Sequence, residues 1–142
     1  MAFPYPLITL EEHFLAKPAQ DFYKANDTTH PDDNRGSPIT PKLLDVGKTR
    51  LDSMKDSHVS IQVISHASNL LPLDLATSEK IYNELHDHII SHPKQFRELA
   101  TLPMKYPEDA SKKLHRCVKK LQFLGALIDN NCEERFYDDP CF

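Results

Sequence analysis

Glu11 and His13 stand two residues apart at the end of the first apolar run, Leu7 to Leu10. In an extended strand, side chains alternate between the two faces, so a carboxylate and an imidazole at this spacing point the same way and Glu12 points away. Carboxylate oxygens and imidazole nitrogens are common metal ligands. The pair therefore predicts half of a metal site. The alternative is an ordinary surface carboxylate beside a structural histidine, because Glu-x-His patterns are common.

The element that must position this pair is a strand. The run from Leu7 to Leu10 is apolar and β-branched and follows Pro4 and Pro6, which favours a short buried strand over a helix. The pair then lies at the carboxyl end of that strand. Active sites of parallel α/β folds gather at this end, where loops follow strands.

Three further apolar runs alternate with helical patterns along the chain. The predicted strands are Val59 to Ile64, Leu99 to Pro103 and Gly125 to Ile128. The predicted helices run from near Pro41 through Met54, from Leu73 to Ser91 with Asp74 as N-cap, and from Pro107 through Leu121. This order predicts an α/β fold with a parallel sheet and right-handed crossovers. No Gly-rich phosphate loop follows a strand, which argues against a nucleotide-binding fold and favours half of a barrel.

The polar stretch from Phe22 to Pro41 is interrupted by Pro31 and Gly36, which predicts a long loop after the first strand. Such a loop inside a compact domain is typical of a functional lid, with disorder as the alternative. The chain is thus read as one truncated domain: the first strand with its metal motif in 1–21, the loop in 22–41 and further β/α units in 42–142.

Composition limits the partners and the compartment. The chain has 142 residues and a net charge of −4 from intermixed signs, so neither nucleic acid nor an anionic membrane is an expected partner. No segment approaches the roughly 18 apolar residues needed to span a bilayer. The N-terminus lacks the basic region of a secretory signal, and we expect a cytoplasmic protein.

The other metal-type residues do not form designed sites. Cys117, Cys132 and Cys141 are odd in number and lack Cys-x-x-Cys spacing, so we expect reduced thiols, with Cys117 in the core. His86 and His88 fall on different faces of a helix. His88 and His92 are at i, i+4, but the helix stops at the following proline, and we interpret them as a chance exposed pair.

Further pieces of the sequence resemble the amidohydrolase-related, metal-dependent decarboxylases, a group that includes the γ-resorcylate, 2,3-dihydroxybenzoate, 6-methylsalicylate and aminocarboxymuconate semialdehyde decarboxylases. They run in the family's order: Leu10-Glu11-Glu12-His13-Phe14, Arg50-Leu51 with Met54, Val59 to His66, Asn83-Glu84-Leu85, His92-Pro93 with Phe96, Ala100-Thr101-Leu102-Pro103-Met104, Arg116-Cys117-Val118, Gly125 to Asn130, and Phe136-Tyr137-Asp138-Asp139-Pro140. The resemblance implies the N-terminal half, about four β/α units, of a TIM (β/α)₈ barrel of the metal-dependent hydrolase type.

The resemblance also assigns roles. It makes Glu11 and His13 ligands of a divalent metal, zinc or manganese, in an incomplete site. It places Arg50 at the substrate carboxylate, the alternative being a helix-face arginine paired with a neighbouring acid. It places Asp129 near the substrate, the alternative being a loop-capping aspartate. The family's catalytic histidine and aspartate would fall beyond Phe142, so no catalytic residue is assigned within this chain.

The implied activity is non-oxidative decarboxylation of a small aromatic carboxylic acid of the hydroxybenzoate type, a carboxy-lyase reaction. Two alternatives remain. The chain is a non-catalytic remnant or self-associating module, because a half barrel leaves two sheet edges that a homo-oligomer would cover. Or it is a hydrolase of the wider amidohydrolase superfamily, which Glu11 in place of the first histidine disfavours.

Two residues depart from the family pattern. Lys55 stands where the family prefers aspartate, and His58 stands where glycine is usual. If that position requires a positive φ, histidine adds local strain.

Overall fold

Four parallel strands form one sheet with the strand order β1-β2-β3-β4. The computed structural model describes residues 5–26, 40–67, 75–132 and 134–140. The strands are β1 Leu7–Phe14, β2 Val59–His66, β3 Phe96–Thr101 and β4 Gly125–Leu127. Each strand pairs in parallel with the next, and helices occupy the connections. This confirms the predicted alternation and parallel sheet.

Five helices and a small hairpin complete the described part of the chain. The helices are α1 Lys17–Ala25, α2 Thr40–Leu44, α3 Lys48–Asp56, α4 Leu75–Ser91 and α5 Pro107–Lys120. The hairpin pairs β5 Asn131–Cys132 with β6 Arg135–Phe136, and the sequence analysis missed it. No helix within the described ranges has the length and apolar character needed to cross a bilayer.

The predicted loop from Phe22 to Pro41 is wrong at both ends, because α1 continues to Ala25 and α2 begins at Thr40. Pro18 is compatible with the first turn of α1, where its missing N–H has no helical partner. Ala19 and Tyr23, four residues apart, face the core. Residues 27–39 of the predicted loop lie outside the described residues.

The single helix predicted from Pro41 through Met54 is instead two helices. The break lies at Asp45, whose carboxylate accepts hydrogen bonds from the backbone N–H groups of Gly47 (2.6 Å) and Thr49 (3.1 Å). A side chain that binds the backbone in this way competes with helix continuation. The hydrogen bond from the Thr49 side chain, with these backbone bonds, lowers the pKa of Asp45.

The core lies between the sheet and the helices. Ile64 and Phe96 from the sheet are fully buried with Ile81 and Leu85 of α4 and with Cys117 of α5. Cys117 is a free thiol, as predicted, and burial raises its pKa to about 11. Burial of the four large apolar side chains contributes about 1.5–3 kcal/mol each.

Polar contacts join α5 to α4. The Arg116 guanidinium donates to Asn83 Oδ1 at 2.7 Å and lies 3.9 Å from the Glu79 carboxylate. Lys113 is 3.3 Å from the same carboxylate. Two of the pieces that carry the family resemblance, around residues 83 and 116, therefore contact each other across neighbouring helices.

Strand boundaries differ from the predictions by a few residues. β3 begins three residues before the predicted Leu99 and ends at Thr101, because Pro103 has no N–H to donate to a ladder. β4 ends at Leu127, one residue early. The predicted start of α4 at Leu73, with its Asp74 cap, lies outside the described residues.

The first strand is not buried as predicted. Ile8 is 55% exposed and Leu10 is 69% exposed, since no described element covers the face of β1 that carries them. Two large apolar side chains of β1 are therefore open to solvent.

His58 occupies the turn between α3 and β2 with a φ of 59°. This is the left-handed region, which costs a non-glycine residue about 1–2 kcal/mol. The strain expected for histidine at this position is therefore present.

Candidate functional site

The carboxyl end of β1 carries Glu11 and His13 on a β-bulge. Thr9 pairs with Gln62 and Glu12 pairs with Ile64, so β1 has one extra residue opposite β2. Glu11 is this extra residue, and its φ is 60°. Because a bulge interrupts the two-residue alternation, spacing along β1 no longer fixes whether Glu11 shares a face with His13, whereas Glu12 and His13 pair with successive residues of β2 and keep the alternation.

All three residues line one hollow of about 510 Å³. Arg50 of α3 and Gln62 of β2 line it as well. Glu11 is exposed, whereas Glu12 and His13 are half-buried. The structure thus brings two predicted metal ligands and the predicted carboxylate-binding arginine to the same surface.

Ser65 fixes the ring of His13. It lies directly opposite His13 in the β1–β2 register, is fully buried, and its Oγ is 3.2 Å from His13 Nδ1. When Nδ1 is occupied by such a partner, Nε2 is the nitrogen left to bind a metal, the usual arrangement for a ligating histidine. Sequence reasoning missed Ser65, which only the strand register reveals.

Arg50 is held by backbone carbonyls rather than by a carboxylate. Its Nη2 donates to the carbonyl oxygen of His13 at 2.7 Å, and its Nε donates to that of Asp45 at 3.1 Å. Its Nη1 makes only a long contact of 3.5 Å with Gln62 Oε1. A guanidinium has five N–H donors, so Nη1 retains donor capacity for a ligand in the hollow.

Two nearby carboxylates partly balance the charge of Arg50. Burial lowers the pKa of its guanidinium from the ordinary value, while the negative charges of Glu12 and Asp45 act in the opposite direction. A guanidinium stays protonated in proteins. The hollow therefore presents a fixed positive charge beside two carboxylates and an imidazole.

Asp129 does not join this site. It is exposed just after β4 and borders a separate hollow of about 30 Å³ with Thr101, Met104 and Tyr137. That volume has room for about one water molecule. The predicted grouping of Asp129 with Arg50 around one substrate is therefore not seen, and a substrate role for Asp129 stays a prediction.

The donor set fits a divalent cation in its chemistry but is incomplete. Glu11 supplies carboxylate oxygens and His13 supplies an imidazole nitrogen whose orientation Ser65 fixes. A catalytic zinc normally has three protein ligands. Within the described ranges, no group of three histidine, cysteine, aspartate or glutamate side chains is placed to hold a metal.

Comparison with known proteins yields relatives but no family model that matches. The decarboxylase orsB of Emericella nidulans is 32% identical over 136 residues, which cover 94% of this chain and 40% of that protein. The chain thus spans about 40% of the length of this curated relative.

Two solved structures share the fold. The 5-carboxyvanillate decarboxylase of Novosphingobium aromaticivorans, with bound manganese and 3-methoxy-4-hydroxy-5-nitrobenzoic acid, matches with a TM-score of 0.84 and 22% identity, covering 96% of this chain and 45% of that one. The dihydroxybenzoic acid decarboxylase of a Polaromonas species, with bound manganese and the inhibitor 2-nitroresorcinol, matches with a TM-score of 0.71 and 27% identity, covering 88% and 38%.

The order of the four parallel strands matches part of the barrel of these proteins, and the sequence relationship extends over nearly the whole chain. The chain is therefore a homologue of the amidohydrolase-related decarboxylases and has the fold of the N-terminal half of their TIM barrel.

Proposed function

We propose that this chain forms the metal-binding and carboxylate-binding part of a non-oxidative decarboxylase for hydroxybenzoate-type acids. The observation that carries the proposal is the meeting of Glu11, His13 and Arg50 at one hollow. The decarboxylases to which the chain is similar support the same reaction. Because the chain spans only about 40% of such a relative, activity of the chain by itself is part of the proposal to be tested.

In this proposal, Glu11 and His13 hold a divalent cation, manganese or zinc. His13 binds it through Nε2, since Nδ1 is engaged by Ser65. The cation, when bound, supplies a Lewis acid for the substrate's carboxylate and adjacent oxygen. Manganese in the related Polaromonas structure supports the choice of a divalent ion.

Arg50 orients the substrate. Its backbone hydrogen bonds fix the plane of the guanidinium, and Nη1, beside Gln62 of the hollow's lining, has donor capacity to spare. A charged N–H donor suits a carboxylate, with each such bond worth about 1.5–3 kcal/mol. The hollow of about 510 Å³ is within the range of small-molecule sites.

A second candidate is a non-catalytic, self-associating module, favoured by the exposed Ile8 and Leu10 of β1. A second copy packed against this face would cover it and form a homo-oligomer. The mixed charge and the reduced thiol of Cys117 support a cytoplasmic location for either candidate.

The test is release of carbon dioxide from 2,6-dihydroxybenzoate by the purified chain with manganese or zinc added. We expect release that depends on the metal and is lost in Glu11→Gln and His13→Asn. His115→Asn, which changes an exposed histidine of α5, serves as the matched control. Sedimentation of the same samples gives the oligomeric state.

Each alternative has its own outcome. No carbon dioxide release together with self-association would favour the module. Hydrolysis of an amide or lactone panel without carbon dioxide release would favour the superfamily hydrolase. Release that persists in His13→Asn would contradict the proposed metal site.

A further inference from the structure

The end of β1 that carries His13 is tied to the segment that joins α2 to α3. Arg50 Nη2 donates to the carbonyl oxygen of His13 at 2.7 Å. Two residues further along the chain, the backbone N–H of Leu15 donates to the carbonyl oxygen of Leu43 at 2.9 Å. Two hydrogen bonds therefore connect the backbone at and just after His13 to residues 43–50.

Asp45 holds the turn from which Arg50 reaches His13. Its carboxylate accepts hydrogen bonds from the backbone N–H groups of Gly47 (2.6 Å) and Thr49 (3.1 Å), the second of which lies in the first turn of α3. Its carbonyl oxygen accepts a hydrogen bond from Arg50 Nε at 3.1 Å. One residue therefore contacts both the start of α3 and the guanidinium that α3 carries.

The residues that follow Asp45 restrain this turn. Val46 is 2% exposed and belongs to the hydrophobic core. A Cβ added to Gly47 would lie 3.1 Å from Asp45 Oδ1, which is closer than the ordinary carbon contact of about 3.5–4.0 Å. The absence of a side chain at residue 47 therefore lets the carboxylate approach the backbone closely.

We propose that Asp45 is a positioning residue for the metal ligand His13 and acts through Arg50. The inference rests on the proposed metal site of Glu11 and His13. The carboxylate holds the turn, and the turn holds the guanidinium that binds the carbonyl of His13, while Ser65 binds its ring. The backbone and the side chain of the ligand are thus restrained from two different elements, which reduces the freedom lost when a cation binds.

The competing explanation is that Asp45 serves only as a cap of α3. A cap stabilises the fold, but it would change metal binding only through the fraction of the chain that is folded. The two explanations differ in whether the effect of Asp45 on metal binding requires Arg50.

The first measurement is the dissociation constant of Mn²⁺ from the full chain, obtained from the EPR signal of free Mn²⁺. Binding that is lost in His13→Asn defines the site. Asp45→Ala should raise the dissociation constant about threefold to tenfold, below or at the low end of the effect of removing a group that directly orients a ligating side chain. Asp45→Asn keeps an oxygen acceptor for the two N–H groups, so its dissociation constant should stay within about twofold of wild type.

The second measurement is a double-mutant cycle. Arg50→Met removes the hydrogen bonds to both carbonyl oxygens and should also raise the dissociation constant. Because Asp45 acts through Arg50 in this proposal, adding Asp45→Ala to Arg50→Met should change the dissociation constant by less than about twofold. An equal factor for Asp45→Ala in both backgrounds would show that the cap acts independently of the arginine and would overturn the proposal.

A second variant reaches the same contact without removing Asp45. Gly47→Ala crowds the carboxylate and should weaken Mn²⁺ binding in the same direction. Asp52→Ala is the matched control, because it removes an exposed carboxylate of α3 that binds Lys48, and it should leave the dissociation constant unchanged. Circular dichroism and urea unfolding verify that each variant is folded during the titration.

The outcomes separate this inference from the proposed function. Wild-type dissociation constants in both Asp45→Ala and Gly47→Ala would overturn the inference and leave the metal site intact. Equal weakening by Asp45→Asn and Asp45→Ala would also overturn it, because the amide keeps the acceptor. Absence of His13-dependent Mn²⁺ binding in the wild-type chain would instead overturn the proposed function and, with it, this inference.

Discussion

Replacing Glu98 by glutamine should change how the stability of this protein depends on pH. The folded chain binds the Glu98 proton more tightly than the unfolded chain, because burial raises the carboxyl pKa from 4.5 to about 8. The stabilisation linked to this proton is complete below pH 4.5 and is lost as the pH rises through about 8. Glutamine has no proton to lose, so the variant should lack this part of the pH dependence.

The size of the effect follows from the two pKa values. At pH values between the two pKa values, the folded state holds about one more proton than the unfolded state, so stability falls by about 1.4 kcal/mol per pH unit as the pH rises. Over the whole range the loss is about 5 kcal/mol. Between pH 6 and pH 8, where the folded group begins to ionise, it is about 2 kcal/mol. This is a large share of the 5–15 kcal/mol that stabilises a typical domain.

The assay is urea unfolding of both proteins at intervals from pH 5.5 to pH 8.5. We expect the free energy of unfolding of Glu98→Gln, relative to wild type, to rise by about 2 kcal/mol between pH 6 and pH 8. The ionisable groups away from Glu98 are the same in both proteins and cancel in the difference. Glu108→Gln, at an exposed position in the first turn of α5, is the control and should show a constant difference. A constant difference for Glu98→Gln would refute the reasoning that burial holds its proton.

Three further substitutions test the fold and the arginine. His58→Gly should stabilise the chain by about 0.5–1 kcal/mol, because relief of the positive φ exceeds the added freedom of the unfolded chain. The control Ser57→Gly, at a φ of −90°, should not stabilise it. An equal effect of both substitutions in urea unfolding would count against strain at His58. Ile81→Ala removes a fully buried side chain and should lower the free energy of unfolding by about 2–5 kcal/mol. Ile90→Ala changes a residue that is 59% exposed on the same helix and should lower it much less. Similar losses of stability in thermal unfolding would contradict the assigned core. Arg50→Lys keeps the charge but loses the hydrogen bonds to two carbonyls, so it should lower the free energy of unfolding by about 1–3 kcal/mol. An unchanged unfolding midpoint would show that these bonds do not fix the arginine.

The fold was largely predictable because its signals are local. Apolar runs such as Val59 to Ile64 and the helical spacing in α4 and α5 depend on nearby residues, and their alternation implies a parallel sheet. The break at Asp45 was missed because one side chain there binds the backbone and outweighs the helical pattern. The polar pattern also predicted that the loop starts at a position that lies inside α1. There, contact with the core extends the helix.

The site was only partly predictable because its geometry depends on tertiary contacts. The spacing of Glu11 and His13 identified a potential ligand pair, yet the bulge at Glu11 has no signal in the sequence. Ser65 follows from the strand register. Glu98 lies just before the strand predicted from Leu99, and its burial depends on helices that follow and precede it in the chain.

The most direct test of the proposed role is the site of manganese binding in the purified chain. Addition of Mn²⁺ to the ¹⁵N-labelled protein broadens the NMR signals of residues near the bound ion. We expect saturable broadening centred on Glu11, His13 and Ser65, lost in His13→Asn and kept in His115→Asn. Broadening that is absent, centred elsewhere, or unchanged by His13→Asn would contradict a metal site at the end of β1.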